Sequence, residues 1–140
     1  LVLDLARRFG IPALRIPAEP LTFFGGLSCS PGRVAGRSGL TVLAGLCRRR
    51  ARAAGLKSPD HFFGMLAGGQ LTEQPLHNIL RRLPDGASEI MCHPGLRDET
   101  LAAEYSWGYH WRGELAALCA PATRQILREQ AIELISFREL

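Results

Sequence analysis

The stretch Glu89-Ile90-Met91-Cys92-His93-Pro94-Gly95 reads as a short apolar strand that stops on a histidine. Proline cannot donate to a sheet ladder, so Pro94 ends the strand and pins His93 at its carboxyl end. Just upstream, Pro84-Asp85-Gly86 is a turn signal. Before that turn, Thr72 is a good N-cap for a helix through Arg82, with Pro75 tolerated in its first turn. Earlier still, His61-Phe62-Phe63-Gly64-Met65 reads as a second buried strand, and Gly68-Gly69 as the loop that follows it. Strand, helix, strand in this order predicts a parallel pair joined by a helical crossover.

The alternation continues outward. A first helix runs to about Arg8, with Gly10 as its stop. Leu1, Leu5 and Phe9 form its apolar stripe, and no capping residue precedes it. Ala13-Leu14-Arg15-Ile16 is a short extended run closed by Pro17 and Pro20. Leu21 to Gly39 is rich in Gly, Ser and Pro and reads as a long loop. A helix over Leu40 to Ala54 follows, carrying Arg48-Arg49-Arg50-Ala51-Arg52 at its end. Beyond His93, Leu96 to Trp111 is polar and aromatic without periodicity. Helices are expected over Arg112–Leu118 and Pro121–Gln130, with Pro121 at a helix start. Ala131 to Phe137 reads as a last strand. The fold class is α/β, one domain over residues 1–140, and four short strands suit part of a barrel better than a complete open sheet.

Composition sets the outer bounds. A chain of 140 residues with 46% hydrophobic and 21% charged content is long enough for one core and too apolar for a disordered chain. No apolar run approaches the roughly 18 residues of a membrane span, and Asp4, Arg7 and Arg8 interrupt any leader-like start. Cysteines at 29, 47, 92 and 119 form no CxxC pair, which points to a reducing, cytoplasmic setting. The net charge of +4 and the Arg48–Arg52 run invite nucleic acid or an anionic membrane surface as partner. No nucleic-acid motif accompanies the run, so nucleic acid is not expected as a partner, and a solvated helix end at the negative pole of the dipole is the simpler account.

In parallel β/α folds, ligands bind at the carboxyl ends of the strands. That rim carries His93-Pro94-Gly95, Gly64 with Gly68-Gly69, and Arg15-Ile16-Pro17-Ala18-Glu19. Imidazole exchanges protons near neutral pH, so His93 is the catalytic candidate; the alternative is a histidine that only bonds its own turn. Arg15 and Glu19 pair with each other or orient a substrate or a metal ligand. His61, His77 and His110 have no metal-ligand spacing, and His77 reads as solvated. Tyr105-Ser106-Trp107-Gly108-Tyr109-His110-Trp111 either stacks on a sugar or lipid or covers an open end of the core.

Several blocks resemble the YdjC-like carbohydrate deacetylases, the family of ChbG and HpnK. Glu89 to Gly95 resembles one strand and turn of that family, and Leu83 to Ile90 is similar to the family's approach to this strand. Phe9 to Arg15 with Glu19-Pro20 resembles its segment after a histidine motif. Glu114 to Leu118, Pro121 and Ile132 to Phe137 resemble its last helices and strand. The likeness is nearest to the hopanoid-biosynthesis branch. It implies the C-terminal part of a TIM-barrel-like (β/α) hydrolase that removes acetyl groups from N-acetylated amino sugars or a glycosylated hopanoid. It further implies a divalent metal, Mg or Zn, whose Asp and His ligands match no position here. His93 inherits an active-site role. Arg15, Glu19, Pro94 and Gly95 inherit weaker substrate-side roles. This chain alone is then expected to be inactive and to expose strand edges that homo-oligomerisation can hide. A non-catalytic carbohydrate-binding module and an anionic-membrane module built on Arg48–Arg52 are the alternatives.

Overall fold

The computed structural model describes residues 1–22 and 31–140. Its elements are α1 (Val2–Arg8), α2 (Pro31–Ala53), β1 (His61–Phe63), α3 (Glu73–Leu80), β2 (Ser88–Ile90), α4 (Asp98–Glu104), α5 (Trp111–Cys119) and α6 (Pro121–Glu129). β1 and β2 are parallel, with Phe62 opposite Glu89 and Phe63 opposite Ile90. This is the predicted crossover, with α3 between the two strands. An isolated parallel bridge joins Ala13 to Lys57, just ahead of β1.

Two clusters hold the chain together. The larger comprises Phe63, Ala67, Leu71, Leu76, Ile79, Leu80, Ala117 and Ile126. Alternation along the strands sends Phe63 and Ile90 to this side, against α3, α5 and α6. Phe62 and Glu89 point to the opposite face. The smaller cluster gathers Ala6, Ile16, Ala44, Ala51 and Leu56, and so joins α1 and α2 to the segment before β1.

Five expectations change. Ala13–Ile16 is not a strand; it makes one bridge and then turns, because Pro12 and Pro17 limit its ladder. The long loop is partly helix: residues 31–39 belong to α2; the 23–30 part of that expectation lies outside the described residues. The segment after Gly95 contains α4, which buries none of its residues and so leaves no periodic trace in the sequence. Ala131–Phe137 pairs with neither strand; Ala131 has φ +51°, and the chain leaves α6 in extended coil. The Leu1-Leu5-Phe9 stripe faces solvent, while Ala6 is the buried residue of α1.

Candidate active site

The site grows from the loops that leave β1 and β2. The loop after β1 begins at Gly64, whose φ of +98° and closeness to the Met91 carbonyl leave no room for a Cβ. Met91 donates its N–H to Phe63 O at 2.9 Å, so the two strand ends stay in register as far as Met91, two residues before His93.

Glu19 secures the loop after β1 from the other side. Its carboxylate, 1% exposed, accepts the N–H groups of Gly64 at 2.7 Å, Met65 at 3.2 Å and Leu66 at 3.0 Å. Burial pushes its carboxyl above the ordinary range, while those three N–H groups and the Arg37 guanidinium pull the other way. Glu19 therefore does not pair with Arg15. Arg15 instead reaches Glu89 of β2, Nε to Oε1 at 2.6 Å, and lies over the Phe62 ring.

His93 lies in the loop after β2, three residues beyond the strand's end at Ile90 rather than directly on it, with its side chain 30% exposed. Its backbone N–H donates to Oε2 of Glu114, and the same oxygen lies 3.9 Å from Nδ1. Nδ1 itself is buried and has no hydrogen-bond partner. Oε1 of Glu114 accepts the N–H of Leu71 at 2.9 Å. One buried carboxylate on α5 thus joins the loops after both strands. Tyr109 lies against the His93 ring, centroids 4.8 Å apart. Its own ring stands over Gly69, where a Cβ would collide with it.

Pro94 is exposed. Gly95 donates its N–H to Trp111 O at 3.0 Å, and a Cβ there would come within 2.9 Å of both Leu101 and Trp111. The glycine of the His-Pro-Gly phrase is thus accounted for by helix packing. His77 is buried, contrary to the solvated reading: Nε2 donates to Thr123 Oγ1 at 2.8 Å, whose hydroxyl donates to Ala117 O.

Glu114 is the site residue that the sequence reading did not single out; Tyr109 was read only as a member of the 105–111 aromatic cluster, without its contact to His93. Glu114 left a usable signal: it falls between Trp111 and Ala117 on the buried stripe of α5, where an acid needs a specific partner. Among the described residues, no three His, Cys, Asp or Glu side chains converge as a metal site. Both oxygens of Glu114 are already committed to backbone N–H groups. These residues do not fit a metal ion.

The model of the YdjC-like protein family matches residues 1–129. The chain belongs to that family. A carbohydrate deacetylase of Geobacillus stearothermophilus is 35% identical over 92 residues, which are 65% of this chain and 38% of that protein. A carbohydrate deacetylase of Clostridium beijerinckii is 32% identical over 82 residues, 58% of this chain and 32% of that protein. A solved structure from Enterococcus faecalis V583, named for cellobiose-phosphate cleavage, superposes with a TM-score of 0.60 at 18% identity. It matches 99% of this chain and 45% of its own, so its likeness speaks for the fold. This YdjC-like chain spans less than half the length of each of these relatives. No helix among its described residues is long and apolar enough to cross a membrane.

Proposed function

We propose that this chain supplies the leaving-group side of a carbohydrate N-deacetylase site, with His93 as the acid that protonates the departing amine. Hydrolysis of an amide breaks a C–N bond whose nitrogen leaves only when protonated. The observation that carries the reading is the orientation of the imidazole. Nδ1 is buried beside Glu114 at 3.9 Å while the ring stays part exposed. Nε2 is then the nitrogen left to meet a substrate: it takes the proton released by the water that attacks the acetyl carbonyl and gives that proton to the amine nitrogen as the C–N bond breaks, so that acetate and the free amine leave. The deacetylase relatives support the substrate class, an N-acetylated sugar. In this reading Arg15 holds Glu89 at the sheet face and Glu19 holds the rim loop, so both shape the site rather than touch the amide.

The divalent metal implied by the family finds no ligand set among the described residues, and no step of this reading runs through it. The hopanoid branch and a barrel closed by further strands extend the same reading. Contact with an anionic membrane is supported by the exposed Leu40, Val42, Leu43 and Leu46 beside exposed Arg49, Arg50 and Arg52 on α2. Replacing those three arginines and Arg48 by Gln should weaken binding to anionic vesicles; equal binding at low salt removes the membrane part.

The central test is acetate release from N-acetylglucosamine oligomers by protein carrying this chain. His93→Ala should lower kcat by at least about 10²-fold with KM little changed. Near-parental turnover by folded His93→Ala returns His93 to a turn role.

A further inference from the structure

Two buried carboxylates fasten the loop after β1, one at each end. Glu19 takes the N–H groups of Gly64, Met65 and Leu66, where the loop leaves the strand. Glu114 takes the N–H of Leu71, where the loop ends ahead of α3. Between them the Gly69 carbonyl accepts the N–H of His110 at 2.7 Å. Tyr109, one residue earlier, stands over Gly69 and against the His93 ring. The path of this loop therefore sets the wall beside the candidate acid.

Glu114 is mounted on a helix, but Glu19 lies in an irregular segment between Pro17 and Pro20. That segment is held from α2. Thr41 donates its hydroxyl to Glu19 O at 3.0 Å. Arg37, one helical turn earlier on the same face, donates Nη2–H to Leu21 O at 2.9 Å. The face continues through buried Ala44 and Ala51, which pack in the cluster of Ile16 and Leu56. Arg37 is only 3% exposed, and an arginine this buried needs an opposite charge nearby. Glu19 is an acid on which its field acts.

We propose that Arg37 is a positioning residue for the candidate active site: from α2 it fixes the segment that carries Glu19 and supplies the positive charge that keeps the Glu19 carboxylate seated on the 64–66 backbone. The inference rests on the deacetylase reading for the reaction that is positioned, and it adds a helix that contributes no residue to the rim. An ionised carboxylate is the better acceptor for three N–H groups, because neither oxygen carries a proton that would face them. Burial opposes the ionised form, and the guanidinium offsets that cost. The 64–66 segment has no titratable side chain, and Arg15 on Glu19's own segment is bound to Glu89. Arg37 is therefore the charge to remove. Slack at Gly64–Leu66 would pass along the loop to Gly69 and Leu71, and from them to Tyr109 and Glu114, both of which face His93.

Amide exchange of the chain, expressed as protection relative to an unstructured peptide, tests this. At alkaline pH, with Glu19 ionised, Arg37→Met should lower protection of the Leu66 amide by about tenfold or more, as a unit charge several ångströms away allows at an effective dielectric constant of about 20. The loss should shrink toward acid pH, as Glu19 takes up a proton and no longer needs the opposite charge. Arg37→Lys, which keeps the charge, should restore most of the protection. In a Glu19→Gln background Arg37→Met should cost little, and where Arg37→Met alone does not fold the double variant should. A loss of equal size at every pH and in both backgrounds, failure of both to fold included, makes Arg37 a packing residue and overturns the proposal. Unchanged protection in Arg37→Met overturns it as well. In protein that releases acetate, Arg37→Met should lower kcat more than it raises KM, with recovery in Arg37→Lys; a loosened loop with parental kcat removes the positioning role. Charge-dependent protection in protein that releases no acetate leaves the Arg37–Glu19 clamp standing and removes the deacetylase reading.

Discussion

The backbone N–H and the ring Nδ1 of His93 are both turned to one carboxylate oxygen, Oε2 of Glu114. A side chain on α5 therefore sets both the position of the histidine and the direction in which its ring faces. The nearest acceptor to Nδ1 is anionic, which favours the tautomer that carries its proton there.

Glu114→Gln should weaken that preference. Nitrogen-15 spectra of the neutral imidazole should show the Nδ1–H form dominant in the parent and a more even mixture in the variant. Glu114→Ala also strands the N–H groups of Leu71 and His93. At about 1–3 kcal/mol for each buried unsatisfied group, it should cost roughly 2–6 kcal/mol, read from the urea midpoint.

Glu19 makes stability depend on pH. Its folded carboxyl is held above its ordinary range, chiefly by burial. The folded chain thus retains a proton that the unfolded chain releases. Stability is greatest below the ordinary glutamate pKa and declines as pH rises from there through the raised value. Glu19→Gln should flatten this part of the stability–pH curve. Glu19→Ala should lower stability at every pH, because the Gly64, Met65 and Leu66 N–H groups lose their acceptor.

Gly64→Ala combines a left-handed backbone with a collision against the Met91 carbonyl. The conformation alone costs about 1–3 kcal/mol, and the backbone must shift in addition. The strand ends should separate, so amide exchange at Met91 should rise together with the loss of stability.

The cysteines differ in reactivity. Cys47 and Cys119 are exposed. Cys92 is partly buried, and its thiol is held above the ordinary range by burial and by the nearby Glu114, with Arg15 opposing. Since the thiolate is the reacting form, iodoacetamide at neutral pH should label Cys47 and Cys119 well before Cys92, as site-resolved mass spectrometry will show.

Legibility followed the physics of each segment. β1, α3 and β2 were readable because two apolar runs, each bounded by breaks, enclose a capped amphipathic helix. The rim position of His93 was readable because a break follows an apolar run, although β2 stops at Ile90, ahead of the Pro94 that was expected to end it. Ala131–Phe137 has a strand's composition, but a strand exists only through a paired neighbour, and none lies beside it among the described residues. α4 was invisible because it buries nothing. Arg15 and Glu19 were found as special residues, but their partners, Glu89 and the 64–66 backbone, lie 74 and 45 or more positions away in sequence. Long-range pairing of that kind leaves no local signature.

The Glu114 carboxylate takes one N–H from the loop after β1 and one from the loop after β2. These two rim segments share that tether, mounted on a third element. Fluctuations that lift α5 from the core release both segments together, so the rim opens as one cooperative unit. Leu71 and His93 amides should then exchange with solvent at the same free energy, and the lifetime of a competent His93 is the lifetime of docked α5.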